Sequence, residues 1–323
     1  MDAAIDTSER GATVNALLAE GNAGLAAAGV GAPRLDAELL LAATCGCERA
    51  ALYARGREPV SDWCAAAFRA LLARRVRREP LQYIVGRQEF WSLDFVVTRD
   101  VLIPRPETEL LVELAVSLLS PPFEKGGPGG ICGAAHVDAA TQIPLNPPFS
   151  KGEVGARPLL CDVGTGSGCI AVALARELPN AEVWALDFSA DALLIAEVNA
   201  QQHGVAERIR FRRSDLFATV PGQRFDVIVS NPPYLTADDL AALQPEVAFE
   251  PRAALDGGAD GLDIIRRLLA VVPNRLADGG WLLMEIGAAQ AAAVEDAARA
   301  AGFSAVAIRL DYAGLPRVLT ARR

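Results

Sequence analysis

Apolar and polar positions change regime twice along this chain. Over residues 1–79 apolar residues recur at helical spacing, without strand-like alternation. Helices are predicted over 14–28, with Thr13 as N-cap, over 35–42, with Pro33 near the start, and over 48–55. A longer one opens at Ser61, a second N-cap, and runs into Arg74-Arg75-Val76-Arg77-Arg78. That basic run reads as a solvated helix end complementing the helix dipole, with contact to an acidic partner as the alternative. Pro80 breaks the pattern, and residues 83–86 and 90–97 read as short strands of a hairpin linker over 80–103. Pro104 and Pro106 then force an extended path through Arg105. Thr108, or the turn before it, caps a helix over 110–119.

From residue 159 onward apolar runs alternate with helical stretches. Strands are expected at 159–163, 182–186, 208–212, 225–230, 281–286, 305–309 and 317–320. Helices are expected at 170–178, 190–202, 262–276 and 288–301. Such alternation builds a mostly parallel sheet with helices on both faces. The fold class is therefore α/β, with a Rossmann-like seven-stranded sheet over 104–323 following a small helical bundle and the hairpin linker. Residues 121–157 fit neither regime. They are rich in Gly and Pro and contain a near-repeat, Pro121-Pro122-Phe123 and Pro147-Pro148-Phe149, so they read as an inserted, mobile, solvent-exposed loop.

Composition narrows the function classes. Net charge is 31 − 40 = −9 over 323 residues, which weighs against a large nucleic-acid surface. Hydrophobic residues make up 51% of the chain, yet no uncharged apolar run reaches the ~18 residues of a membrane span. The first residues lack a basic n-region and an apolar h-region, so the expectation is a soluble cytoplasmic protein. The six cysteines match no zinc spacing and read as reduced thiols. With two histidines, no metal site and no Ser-His-Asp or Cys-His nucleophile is expected.

Two loops carry the chemistry. Gly164-Thr165-Gly166-Ser167-Gly168 joins the first strand of the sheet to its first helix, and glycines there let backbone approach a ligand. Cys169 stands where the dinucleotide fingerprint needs its last glycine, and Asp187 ends the next strand, placed for ribose hydroxyls. The pattern suits a nucleoside without a pyrophosphate, and S-adenosyl-L-methionine fits. Its sulfonium tolerates nearby Asp162, Asp187 and Asp215, whereas a pyrophosphate would be repelled. Asp215 is a candidate acceptor for the adenine amino group, with Leu216 and Phe217 packing on the ring. The same Asp215 also reads as a turn or cap residue.

The second loop is Asn231-Pro232-Pro233-Tyr234, after the buried run 225–230. An amide nitrogen is a poor nucleophile because its lone pair is delocalised. Methylating it requires holding the NH2 with that lone pair aimed at the methyl. The Asn231 side-chain oxygen and the Pro232 carbonyl can each accept one N–H and stabilise developing positive charge. The two prolines stiffen the loop, and Tyr234 can cover a planar group. A copy, Asn146-Pro147-Pro148-Phe149, follows no buried strand and is not taken as a site.

With both loops in view, the chain resembles the class I S-adenosylmethionine-dependent methyltransferases, and within them the release-factor glutamine methyltransferase family. The resemblance also rests on Phe90-Trp91, on residues 102–109 with Arg105-Pro106-Glu107-Thr108-Glu109, on Phe249-Glu250-Pro251 and on residues 257–261. It implies N5-methylation of the glutamine in the Gly-Gly-Gln motif of class 1 peptide chain release factors, with no membrane and no direct nucleic acid. It implies cofactor contacts at residues 164–168, Asp187, Asp215, Leu216 and Asn231. Substrate contacts fall at Asn231, Pro232, Pro233 and Tyr234, with Arg105 and Glu107 lining the same cleft. Residues 1–79 would help dock the release factor. Three alternatives stay open at this point: a ribosomal-protein glutamine as substrate, a nucleic-acid amino group as substrate, and a non-enzymatic cofactor-binding protein.

Overall fold

A computed structural model describes residues 12–119 and 157–323. The insertion read at 121–157, apart from Arg157, and the copy at 146–149 lie outside the described residues. The chain divides into two compact units, one of Met1–Arg87 with Leu243–Phe249, the other of Gln88–Ala242 with Glu250–Arg323.

The first unit is helical: α1 (Val14–Ala27), α2 (Pro33–Cys45), α3 (Arg49–Ala54), α4 (Asp62–Val76) and α5 (Leu81–Val85). Thr13 and Ser61 cap α1 and α4, each accepting a backbone N–H at 3.3 Å. Leu17, Leu25, Leu40, Leu41 and Phe68 are wholly buried between the helices. Residues 83–86 are not a strand. Pro80 starts a helical turn, its carbonyl accepting from the Tyr83 and Ile84 N–H groups, and Gly86 closes that turn at φ +76°. The basic run is solvated only in part, at Arg77. Arg75 is buried and paired with Asp36 and Glu246, Arg78 pairs with Glu246, and Arg74 with Glu79.

The second unit begins within a hairpin of β1 (Arg87–Phe90), whose first residue ends the first unit, and β2 (Leu93–Val96). Its turn, Trp91-Ser92, has φ of +55° and +56°, the pairing a tight two-residue hairpin turn requires, and it splits the single strand expected over 90–97. After α6 (Glu109–Leu119) come β3 (Leu159–Val163), α7 (Cys169–Glu177), β4 (Glu182–Asp187), α8 (Ala190–Gln202), β5 (Ile209–Arg213) and β6 (Phe225–Ser230). A short α9 (Ala237–Ala241), which the apolar pattern did not announce, follows. The chain ends with α10 (Asp263–Val271), β7 (Leu276–Glu285), α11 (Ala291–Ala300), β8 (Ser304–Leu310) and β9 (Pro316–Arg322). Leu276 belongs to β7 and not to the helix before it, because α10 gives way to a 3₁₀ turn at Val272–Asn274 that contains Pro273.

The sheet has seven strands in the order β5-β4-β3-β6-β7-β9-β8, with β9 antiparallel to both neighbours and all other pairs parallel. Strand alternation fills both faces. Val227 and Val229 pack with α6 and α7, and Ile228 packs with α10 and α11. Each is wholly buried, a gain of roughly 1.5–3 kcal/mol per side chain. Strand order reverses between β3 and β6. Val163 pairs with Ser230, whose hydroxyl donates to the Val163 carbonyl at 2.7 Å. The loops beginning at Gly164 and Asn231 therefore leave the sheet side by side, at the crevice where open α/β sheets bind ligands.

Candidate active site

The glycine loop is built around two carboxyl groups. The Gly164 and Thr165 N–H groups donate to the Leu186 carbonyl at 2.8 and 3.0 Å, which seats the loop on β4. Asp187 accepts from Gly166 N–H through one oxygen and from Ser189 N–H through the other, both at 2.8 Å. It thus braces the loop while each oxygen keeps lone-pair capacity. Burial raises its carboxyl above the ordinary value despite those N–H bonds. The Thr165 and Ser167 side chains are buried, and the Thr165 hydroxyl donates to Asp162 Oδ2 at 2.7 Å. What Thr165 and Ser167 offer a ligand is backbone.

Asp162 Oδ1 is buried with no hydrogen-bond partner. Burial pushes this carboxyl up to about 7, against the hydrogen bonds from Thr165 and Ala171. In front of the loop, a Cβ built on Gly164 meets nothing within 4 Å. An orphaned buried acid, a second acid on the loop and an open glycine face fit a cationic nucleoside and disfavour a pyrophosphate, so the residues present suit S-adenosylmethionine.

The expected adenine contacts divide. Phe217 is buried in the core, its ring 6.1 Å from that of Phe225, so it does not pack on a ligand. Asp215 is exposed and holds Arg267 through both oxygens at 2.7 and 2.8 Å. Leu216 is left half-buried at φ +50°, a strained conformation for a residue that carries a Cβ.

At the second loop, Asn231 Nδ2 donates to Thr108 Oγ1 at 3.1 Å. Thr108 donates in turn to Glu285 Oε2 at 2.7 Å, and the Tyr234 hydroxyl donates to Glu285 Oε1 at 3.1 Å. Among the described residues nothing donates to Asn231 Oδ1. Glu285 ends β7 and is 1% exposed. Burial raises its carboxyl, against hydrogen bonds from Thr108 and Tyr234 and the charge of Arg317. Burial and the Glu285 charge raise the Tyr234 phenol in turn. Gln290 Nε2 donates to the Tyr234 carbonyl at 2.9 Å and pins the end of the loop. Pro232 is buried and Pro233 half-buried.

Arg105 is extended, as its flanking prolines require, and it forms an ion pair with Glu250. Glu250 also accepts from Ile103 N–H at 3.1 Å, so the stretch before α6 is tied down from residue 103 to residue 108. Glu107 stays exposed. Thr108 does not cap α6, because its hydroxyl is spent on Glu285. Glu250 and Glu285 escaped the sequence reading as site residues. Glu285 had a visible signal, a carboxylate closing the apolar run 281–286.

This arrangement can be set beside known proteins. The PrmC N-terminal domain model matches residues 16–86, and the methyltransferase small domain model matches residues 127–248. A release factor glutamine methyltransferase of Geobacter sulfurreducens is 43% identical over 92% of this chain and 92% of its own length. Proteins of the same description from Moorella thermoacetica and Cereibacter sphaeroides are 40% identical over 96% of this chain and 99% of theirs, and 43% identical over 92% and 94%. The chain belongs to the release factor glutamine methyltransferase family. Among solved structures, the catalytic domain of hMettl16 is 16% identical and covers 78% of this chain and 81% of its own, at a TM-score of 0.51. That likeness concerns the fold alone. Among the described residues no helix is long and apolar enough to cross a membrane.

Proposed function

We propose that this chain transfers a methyl group from S-adenosylmethionine to the side-chain amide nitrogen of the Gly-Gly-Gln glutamine of class 1 peptide chain release factors, in the cytoplasm and without direct nucleic-acid contact. Family membership supports the substrate. The geometric observation that carries the chemistry is the pairing of Val163 with Ser230, from which the glycine loop and the tetrapeptide leave the sheet together.

In this reading the backbone of Gly164, Thr165, Gly166, Ser167 and Gly168, with Asp187, Asp215, Leu216 and Asn231, holds the cofactor. When bound, S-adenosylmethionine supplies an electrophilic methyl on a sulfonium. Asn231 Oδ1 and the Pro232 carbonyl accept the two amide protons and turn the nitrogen lone pair toward that methyl. Both acceptors gain strength as positive charge grows on nitrogen, and the Pro232-Pro233 backbone needs little reorganisation. Tyr234 covers the planar amide, and Arg105 and Glu107 line the approach. Once alkylated, the nitrogen loses its extra proton readily, so no strong base is required early. Residues 1–79 dock the release factor, residues 80–103 link, and residues 104–323 carry catalysis. The acidic chain, and the internal pairing of Arg74, Arg75 and Arg78, favour a protein substrate over nucleic acid.

The test supplies labelled S-adenosylmethionine with release factor, release factor lacking the Gly-Gly-Gln glutamine, ribosomal protein and DNA in parallel. Label is expected on the intact release factor alone. Label on the glutamine-replaced factor, or only on ribosomal protein or DNA, overturns the reading.

A further inference from the structure

We infer that Thr108 and Glu285 are positioning residues that fix which end of the Asn231 amide faces the substrate. The inference rests on the acceptor role proposed above for Asn231.

A hydroxyl on each oxygen and the charge of Arg317 favour the ionised form of Glu285 against its burial; an ionised carboxylate only accepts hydrogen bonds, and a threonine hydroxyl has one proton to give. Glu285 receives that proton from Thr108 at 2.7 Å and a second from Tyr234 at 3.1 Å. With its proton committed, Thr108 Oγ1 offers Asn231 lone pairs only. Asn231 must therefore present Nδ2 to it, as the 3.1 Å bond shows, which turns Oδ1 away from Thr108 as the free acceptor. A flipped amide would set oxygen against oxygen at Thr108 and offer the substrate two N–H donors where its own NH2 needs acceptors. The carboxylate end of the chain cannot drift, because Glu285 is 1% exposed and held between Thr108, Tyr234 and the charge of Arg317. An isolated buried carboxylate is costly, so keeping one beside this loop calls for a role. The same carboxylate anchors Tyr234 and Thr108, and thus couples the stretch 105–109 to the tetrapeptide. Thr108 itself makes no helix cap, which removes the ordinary reason for a threonine at the start of α6.

The decisive comparison is Thr108→Val, which keeps shape and loses the hydroxyl, against Thr108→Ser, which keeps the hydroxyl. Full-length enzyme is assayed with release factor and S-adenosylmethionine. Thr108→Val is expected to lose about ten- to hundredfold in kcat, the range of a charge-assisted hydrogen bond, with cofactor Kd unchanged within about twofold. Thr108→Ser is expected to recover kcat to within about threefold of the parent. In an Asn231→Ala background Thr108→Val should change kcat by less than about twofold, because its effect passes through Asn231. Were Thr108→Val not to fold, Glu285→Gln replaces it. Its amide no longer obliges Thr108 to donate toward it, and kcat should fall at least about fivefold with cofactor binding intact. A parent-like kcat in the variant assayed, no rescue by serine, or an equal loss in the Asn231→Ala background overturns the inference. Asn231→Ala alone separates the two levels. If that variant keeps turnover, the acceptor reading fails. If it loses turnover while Thr108→Val does not, only the positioning role fails.

Discussion

Two glycines of the loop after β3 should respond in opposite ways to the same methyl group. Gly168 sits at φ +80°, and a Cβ there would lie 2.9 Å from Ala196 Cβ and 3.1 Å from Ala196 Cα, on α8. Gly168→Ala therefore meets two penalties. A left-handed backbone costs an L-residue about 1–2 kcal/mol, and forcing a methyl into packed atoms costs about 1–3 kcal/mol. The sum is about 2–5 kcal/mol. Gly164 has nearly the same backbone, φ +78°, but its Cβ would meet nothing within 4 Å. Gly164→Ala therefore carries only the backbone penalty, about 1–2 kcal/mol. At about 2–4 °C per kcal/mol for a unit of this size, Gly168→Ala should melt several degrees below Gly164→Ala in cofactor-free enzyme. Affinity should rank the other way per unit of stability lost. The methyl of Gly164→Ala enters the open face where the cofactor is proposed to lie, and S-adenosylmethionine Kd should rise at least about tenfold. Thermal and urea unfolding without ligand, with calorimetric titration of the cofactor, measure both. A Gly168→Ala enzyme that melts like the parent, or a Gly164→Ala enzyme that is the less stable of the two, would refute this account of the loop.

Asn231→Ala should lower kcat by about 10²–10³-fold, the cost of one lost electrostatic stabiliser, and change S-adenosylmethionine Kd far less than that; single-turnover kinetics and calorimetric titration decide it. Asp162 holds its proton in the folded state up to about 7, against an ordinary value of 3.8. Its contribution to stability is thus full below about pH 4 and is lost as pH rises through 7, at up to about 1.4 kcal/mol per pH unit. Asp162→Asn should flatten that fall in urea unfolding between about pH 4 and 7, and an unchanged slope would count against the buried acid. Glu246 behaves oppositely: burial alone would raise it, but hydrogen bonds from Arg78 and Arg75 hold it at about 2, below its ordinary 4.5. The stability it lends is present above about pH 4.5 and lost as pH falls toward 2. Glu246→Ala leaves the buried Arg75 with Asp36 as its remaining carboxylate, and it should cost about 3 kcal/mol and remove that acid transition.

Periodicity made the sheet legible. Runs such as 159–163 and 225–230 are buried on both faces, so nearly every residue is apolar and the strand is visible without knowing its neighbours. The two loops were legible for a related reason. Glycines admit the positive φ that other residues rarely adopt, and a Pro-Pro step fixes φ, whatever packs around them. Short apolar runs misled. Residues 83–86 have strand-like composition, yet four residues cannot distinguish a strand from a helical turn, and Pro80 and Gly86 decided for the turn. The basic run at 74–78 looked solvated because its partners, Asp36 and Glu246, lie 39 and 171 residues from Arg75. Thr108 meets Glu285 across 177 residues and Asn231 across 123. Local pattern carries backbone preference and the burial of a face. Which donor meets which acceptor depends on strand order, and here the reversal between β3 and β6, together with the placement of β7 beside β6, assembled the tetrapeptide's supports from distant parts of the chain.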